Sequence, residues 1–497
     1  MRDRIYLYEL EGYQQASQEK RDKMRIDAKQ YFDLGGLPSE SVHQLLEAFI
    51  WERGKSLAPS SLQTDRLYYN NIRQFMIDKN IKELKAENGE HILLVLKAWM
   101  MENGYALTSQ KYRSAYDKVA TETPCIIKYM KKLLRFAKED DIRDEQEKDI
   151  WDLNNFDFPL RNNPIKALGT LNFTKIPQIE IREEVKKTIY MHLKYAALGS
   201  VYSEMTAVNR FTRYLKMRHS QIRSLQELER WHIEQYLIYL QTEATDRKNY
   251  RTDLLSLRRV IEDVGNLYEQ SVMKELFLPH DFPSSPRYLF KFYTDAEIKR
   301  LNAHIFKMDE QISRALIIHQ LLGTRISDTL TLHIDCLSKR EGRYFVRIDQ
   351  VKSTMYEKAV SNEVAQLITR AIEYTKERYG KTEYIFVKKD DPTKPFQYSM
   401  IQYRIMSMIR QEDIRDDNGE LLEFGTHVFR HCYGKKLTEM HVEDWMIAKL
   451  LGHRTLGSVQ HYRQIGNKMM ADETRGSREK MDAILQDIVK GWEGYEI

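Results

Sequence analysis

The stretch DLNNFDFPLRNNPIKALGTLNFTKIP, residues 152–177, constrains the fold most, because it interrupts helical spacing that runs on both sides of it. Asn, Pro and Gly favour turns there, no apolar period is sustained, and the stretch reads as a boundary. A second break follows at LPHDFPSSPRYL, residues 278–289. A chain of 497 residues has room for about three domains at roughly 150 residues each. The expected organisation is a helical N-terminal domain over 1–155, a helical domain over 178–282, a third domain over 290–475 and an amphipathic helix over 476–497. Met481, Leu485, Ile488 and Trp492 form the apolar stripe of that last helix.

Within the first domain a helix is predicted from Leu62 with Leu67, Ile72 and Phe75 on its apolar face, followed by another over HILLVLKAWM. The segment EMTAVNRFTRYLKMRHSQIRSLQELERWHIEQYLIYL has the same layout. In each, an aromatic (Phe75 or Tyr214) precedes a short linker (Ile81 to Leu84, or Ile222 to Leu225) that leads into the next helix. A degenerate repeat of a small helical unit is the reading. In the last third, Thr294 as N-cap with Glu297 three residues on predicts a helix start. GRYFVRI and YEKAV read as two strands joined by residues 349–355, the second leading into a helix near Ser361. The fold class is mainly α, a helical N-terminal region followed by a mixed α/β, mostly helical domain with one small antiparallel sheet.

At 42% hydrophobic and 30% charged residues the chain can bury a core and keep its surface wet. Cys125, Cys336 and Cys432 are too few and too far apart for a disulfide framework, which suits a reducing compartment. No run of about 18 apolar residues occurs, and the first twenty residues are too charged for a signal peptide. A cytoplasmic protein without a membrane partner is therefore expected. The formal net charge of +5 is only a weak bias toward polyanions. Gly380-Lys381-Thr382 lacks the upstream glycine and strand of a phosphate loop. His427, His431, Cys432, His441 and His453 match no zinc spacing, so neither a metal nor a cofactor is expected.

Three segments carry chemistry. In LLGTRISDTLTLHID, Leu321, Leu322, Ile326 and Leu330 recur at helical spacing and place Arg325 on a helix beside an apolar face. In FGTHVFRHCYGKKL, His427 and Arg430 are three apart and share a helix face, with Thr426 as a cap. In LGHRTLGSVQHYRQ, His453 and Tyr462 flank a polar turn. Taken singly, each is ordinarily structural: an arginine among core residues usually lies on the surface, and the chain has 30 tyrosines. Taken together, two planar guanidiniums and a histidine suit a phosphodiester, and a tyrosine held in line can attack it.

In this order the residues resemble the tyrosine recombinase, or phage integrase, family. GTRISDTLTL is similar to that family's G-x-R-I-S-E-x-x-x-L, with Asp328 in place of the commoner glutamate. HVFRH is similar to H-x-L-R-H, and LGHRTLGSVQHY to L-G-H followed nine residues later by tyrosine. The resemblance covers roughly residues 290–470 and implies that 290–475 is the catalytic domain and 178–282 a core-binding (SAM-like) domain. Residues 1–155 would then be an additional DNA-binding unit.

It further implies a catalytic set of Arg325, Lys352, His427, Arg430, His453 and Tyr462. Arg325, His427, Arg430 and His453 hold the scissile phosphate, Tyr462 is the nucleophile of a 3'-phosphotyrosyl intermediate, and a lysine between two strands protonates the leaving 5' oxygen. Lys352 is the assigned lysine and Lys358 the alternative. The implied partners are double-stranded DNA, a homo-tetramer on two DNA sites and an accessory DNA-bending or directionality protein. Basic groups in EVKKTIYMHLK, NRFTRYLKMRH and DRKNYRTDLLSLRR would lie along the DNA backbone. The expected function is site-specific recombination for integration, excision or transposition of a mobile element. A type IB-like DNA topoisomerase, a non-catalytic architectural DNA-binding protein and replicon-dimer resolution remain the alternatives.

Overall fold

The computed structural model describes residues 2–22, 29–84, 88–137, 143–244, 249–284, 291–351, 354–453, 455–457 and 459. The helix expected over 476–497 lies outside them. The chain divides into two compact units, Met1–Arg143 and Asp144–Ile497.

The first unit begins with strand β1 (Arg4–Tyr6), passes through short helices α1 (Glu11–Gln14) and α2 (Gln18–Asp22), and pairs β1 with β2 (Tyr31–Asp33). Helices α3 (Glu40–Ser56), α4 (Pro59–Asp78) and α5 (Gly89–Glu102) follow, then a hairpin of β3 (Ser109–Arg113) and β4 (Lys118–Glu122), then α6 (Cys125–Phe136). Ser39 starts α3 by accepting a hydrogen bond from the Val42 amide at 3.2 Å, a cap of about 1 kcal/mol. Ile72 and Phe75 are buried on α4, whereas Leu67 is exposed. Its five-residue separation from both Leu62 and Ile72 turns it about 140° away from their stripe.

In the second unit, β5 (Ile150–Asp152) pairs with β6 (Thr170–Asn172), and α7 (Ile179–Tyr195), α8 (Leu198–Arg218), α9 (Arg230–Thr242) and α10 (Arg251–Leu267) follow. Strand pair, then two helices separated by two residues, then two more helices: this order occurs twice in the chain. The correspondence extends to side chains at a constant separation of 139 residues. Buried Phe32, Leu34, Val42, Leu46, Ile50, Leu62 and Phe75 match buried Leu171, Phe173, Ile181, Val185, Ile189, Val201 and Tyr214. A polar pair recurs at the same separation, the Arg53–Asp65 ion pair between α3 and α4 and the hydrogen-bonded His192 and Glu204 between α7 and α8. Arg53 Nη2 lies 2.6 Å from Asp65 Oδ1, and His192 Nδ1 lies 2.8 Å from Glu204 Oε2.

The stretch 152–177 is itself structured. Trp151, Leu153, Leu171 and Phe173 join the core of the four helices, and Ile165 enters the core of the region that follows. These apolar alternations are too short to show a period in sequence.

The remaining region starts at α11 (Asp295–Ile305), where Thr294 and Glu297 form the expected capping box: Thr294 Oγ1 accepts from the Glu297 amide at 3.1 Å, and Glu297 accepts from the Thr294 amide at 2.8 Å. Helix α12 (Glu310–Leu322) is buried along Ile312, Ala315, Leu316, Ile318, His319 and Leu322. After α13 (Ile326–Leu330) comes a three-stranded antiparallel sheet of β7 (Leu337–Arg340), β8 (Arg343–Ile348) and β9 (Tyr356–Val360). Strands β8 and β9 are the expected pair. Strand β7 is additional and turns into β8 at Glu341 and Gly342, both with positive φ. Helix α14 (Asn362–Tyr379) starts at its Ser361 cap, and α15 (Tyr398–Gln411), α16 (Thr426–Glu439) and α17 (Asp444–Leu451) complete the described chain. No helix among the described residues is long and apolar enough to cross a membrane.

Candidate active site

Helix α12 stops at Gly323, whose φ of +60° is the left-handed cap conformation. Arg325 therefore stands between two helices as the N-cap residue of α13, not within one continuous helix as the apolar spacing suggested. Spacing alone misses the break because Leu322 and Ile326 are buried or partly buried on both sides of it. Arg325 Nη1 is buried, lies 3.7 Å from Asp328 Oδ2 and has no hydrogen-bond partner among the described residues. It is a cation with donor capacity left over.

Arg430 lies on α16. The N-cap of that helix is Gly425, and Thr426, expected as the cap, is its first residue. Arg430 is buried and donates from Nη1 to Gly323 O at 3.0 Å and from Nη2 to Leu451 O at 2.7 Å. It thus joins the end of α12, two residues before Arg325, to the end of α17, two residues before His453. Helix ends leave carbonyls unsatisfied and partially negative, which is where a buried cation is tolerated.

Helix α17 ends at Gly452 with φ +63°, and a Cβ there would stand 2.2 Å from Gln350 Nε2 and 2.7 Å from the Tyr356 ring. Glycine takes this left-handed turn without strain or displacement of Gln350 and Tyr356, and the chain passes at once into His453. Burial, with Arg430, Arg325 and His431 nearby, pushes the His453 imidazole down to about 4. It is neutral at physiological pH, able to donate one hydrogen bond. His427 is one turn before Arg430 on α16 and exposed, its ring centroid 6.1 Å from that of His431.

Of the supporting residues, Asp328 and Thr426 were singled out from sequence and His319, Thr329, Gln350 and Tyr356 were not. His319 is fully buried; its Nε2 meets the Thr426 carbonyl at 3.0 Å and its Nδ1 meets Thr329 Oγ1 at 3.0 Å. A carbonyl can only accept, so Nε2 carries the proton and Nδ1 accepts from Thr329, whose oxygen lies 2.6 Å from Thr324 Oγ1. Burial pushes His319 down to about 4, in keeping with this neutral form. The chain of bonds fastens the Arg325 turn to the start of the helix bearing His427 and Arg430. Asp328, whose carboxyl burial raises above the usual range, accepts from the Val351 amide at 3.2 Å. Gln350 donates to Gly452 O at 3.1 Å. Residues 350 and 351 are thereby tied to the turns carrying both Arg325 and His453. Tyr356 completes the wall: its hydroxyl is buried without a hydrogen-bond partner among the described residues, in the field of Arg430, Asp328 and Arg325, and burial raises it well above the ordinary phenol value.

Lys352 and Tyr462 lie outside the described residues. Lys358, on β9, is buried; its Nζ donates to Leu322 O at 2.7 Å and Leu450 O at 3.5 Å and stands 4.0 Å from the Tyr433 ring centroid. Burial, together with Arg430, pushes its ammonium down to about 7. Arg325, Arg430 and His453 thus share one electrostatic neighbourhood, with His427 at its exposed margin. Such an arrangement can bind an oxyanion. Among the described residues no group of three or more His, Cys, Asp or Glu is placed to hold a metal ion.

Over residues 291–468 the chain matches the phage integrase family. Transposase B from transposon Tn554 of Staphylococcus aureus strain N315 is 24% identical over 416 residues, covering 82% of this chain and 66% of the relative. Transposase B from transposon PsiTn554 of Staphylococcus aureus is 25% identical over 401 residues, covering 79% and 63%. The chain spans just under two thirds of the length of these relatives. Among solved structures, the XerH site-specific recombinase bound to palindromic difH substrate is 17% identical with a TM-score of 0.45, over 61% of this chain and 90% of that one. The Tn1549 transposon integrase in complex with circular intermediate DNA is 15% identical with a TM-score of 0.42, over 56% and 94%.

Proposed function

We propose that this chain, whose residues 291–468 belong to the phage integrase (tyrosine recombinase) family, is a site-specific DNA recombinase that moves a mobile element. The observation that carries the reading is how Arg430 gathers the site: it donates to Gly323 O, two residues before Arg325, and to Leu451 O, two residues before His453, while Arg325 Nη1 has no hydrogen-bond partner among the described residues.

In the proposed reaction Arg325, Arg430, His427 and His453 surround the scissile phosphate. The Tyr462 phenolic oxygen forms a bond to phosphorus and releases its proton to solvent, while the bond from phosphorus to the 5' oxygen breaks and that oxygen takes a proton from Lys352. Fixed positive charge favours the more highly charged transition state over the diester. The phosphotyrosyl bond conserves the diester's energy, so attack by another 5' hydroxyl joins new strands without ATP. The names of the Tn554 relatives support transposition as the biological role. Strand exchange calls for four protomers on two DNA duplexes, with residues 476–497 docking between protomers. An accessory DNA-bending protein fits the same scheme, and the cytoplasm is the expected place of action.

The test is covalent trapping on nicked duplexes from the flanks of the protein's own gene. Wild type should form an adduct mapping to Tyr462, and Tyr462→Phe should not; equal adducts from both would defeat the assignment. A substrate with sulfur in place of the bridging 5' oxygen needs no general acid, since a thiolate leaves unaided. It should restore cleavage by Lys352→Ala, whereas rescue of Lys358→Ala instead would transfer the acid role to Lys358. Cleavage with resealing but no exchange between two bound sites would favour a topoisomerase.

A further inference from the structure

The two copies of the helical unit differ at one place in a way that concerns charge. Between α9 and α10 the second copy has eight residues, 243–250; between α5 and α6 the first copy has 22, residues 103–124, and these contain the β3–β4 hairpin. Residues 105–136, the hairpin and α6, hold seven Lys or Arg against two Asp or Glu, a net of +5. The whole chain also sums to +5, so the other 465 residues sum to zero.

The geometry concentrates that charge. The register pairs Lys111 with Ala120, Tyr112 with Val119 and Arg113 with Lys118. Alternation along a strand then puts Lys111, Arg113 and Lys118 on one face of the ribbon. Like charges directly opposite each other, as Arg113 and Lys118 are, destabilise a pair of strands in water. On the other face the cross-strand neighbours Tyr112 and Val119 are 61% and 59% exposed. A two-stranded ribbon open on both sides is marginal alone.

Glu122 links the ribbon to the helix, accepting from Arg113 at 3.1 Å and Lys128 at 2.7 Å. Beyond Lys128, the solvent face of α6 continues as Lys131, Lys132 and Arg135, while Ile126, Ile127, Met130, Leu133 and Leu134 face the core.

We propose that the β3–β4 ribbon and the outer face of α6 form a further binding surface for double-stranded DNA. The Lys111, Arg113 and Lys118 face meets the phosphate backbone, with Lys131, Lys132 and Arg135 extending the same track. Phosphates relieve the repulsion between Arg113 and Lys118, and a two-stranded ribbon has the width that a major groove admits. Desolvation against sugar edges covers Tyr112 and Val119. The inference depends on the recombinase reading only for the choice of polymer.

The test uses the full chain, with Lys111, Lys118, Lys131, Lys132 and Arg135 all changed to Gln, and a duplex of random sequence titrated at several salt concentrations. Each lost phosphate contact lowers the slope of log K against log salt by about 0.9, so a fall of roughly 2 to 4 is expected, with affinity at least about tenfold weaker at moderate salt. Far-ultraviolet circular dichroism should be unchanged, because all five side chains are solvent-facing. As a second measurement, a photoreactive benzoylphenylalanine at Tyr112 should crosslink to the duplex in otherwise wild-type protein. An unchanged slope with no crosslink overturns the proposal, as does loss of binding confined to vesicles of anionic lipid. Adduct formation at Tyr462 reads the recombinase assignment separately, on short duplexes in the same variant. A normal adduct with an unchanged salt slope rejects this surface alone.

Discussion

Arg430 and Lys358 hold the same two helix ends by adjacent carbonyls. Arg430 donates to Gly323 O and Leu451 O, and Lys358 donates to Leu322 O and Leu450 O. Both are buried, and among the described residues no acidic side chain pairs with Lys358. The partial negative charge of two helix C-termini takes the place of a carboxylate. The turns that follow those termini carry Arg325 and His453, so the two cations set the spacing of the proposed phosphate site.

The two arginines should respond differently to the same substitution. Arg430→Lys removes a fork that bridges two helices and should destabilise the domain by about 1–3 kcal/mol for each carbonyl left without its donor. Arg325→Lys keeps the charge beside Asp328 and should stay within about 1 kcal/mol of wild type. Cleavage should fall about 100-fold or more in both. Urea unfolding alongside single-turnover cleavage separates the effects, and an Arg325→Lys protein as unstable as Arg430→Lys would contradict the division of roles.

Lys358 makes stability depend on pH in a definite direction. Its ammonium titrates near 10.5 when unperturbed and is pushed down to about 7 in the fold. Across that window the unfolded chain holds a proton that the folded chain has released, so stability rises with pH. Below about pH 7 both states carry the charge and its burial cost is fully present. The difference in stability between wild type and Lys358→Met should shift in favour of wild type by about 2 kcal/mol from pH 7 to pH 9. A constant difference over that range would show that the amine does not titrate there.

Gly323 and Gly452 cap α12 and α17 with φ of +60° and +63°. A Cβ at Gly323 would lie 2.5 Å from the Tyr433 ring. Gly323→Ala and Gly452→Ala should each cost about 1–3 kcal/mol and slow cleavage by displacing Arg325 or His453. Thermal melts and cleavage rates equal to wild type for either variant would remove that glycine from the account.

The Arg53–Asp65 ion pair, one of the two polar pairs at the repeated position, can be tested alone. Arg53→Ala leaves Asp65 7% exposed without its guanidinium, which should destabilise the first unit by about 3–5 kcal/mol. Arg53→Ala with Asp65→Ala should recover part of that loss. Limited proteolysis of residues 1–143 reads the effect, and a double variant cleaved faster than the single one would refute the pairing.

Local features were legible in the sequence because their causes are local. The Thr294–Glu297 box, the His427 and Arg430 spacing on α16, the Ser361 start of α14 and strands β8 and β9 each depend on residues a few positions apart. The layout shared by Phe75 and Tyr214 could be read for the same reason, through helical periodicity. Local signals failed at Arg325, where apolar spacing runs across a helix break made by one glycine, and at Leu67, which has the right composition and the wrong angle.

What the sequence by itself determined was the order of the candidate reactive groups and the helical character of the chain. Only tertiary structure decided which of those groups meet. Arg430 reaches Gly323 across 107 positions and Lys358 reaches Leu322 across 36, and no periodicity spans such separations. Burial decided the rest: whether a lysine is a solvated surface charge or, like Lys358, a buried amine pushed down to about 7 between two helix ends depends on the desolvation imposed by the packed fold.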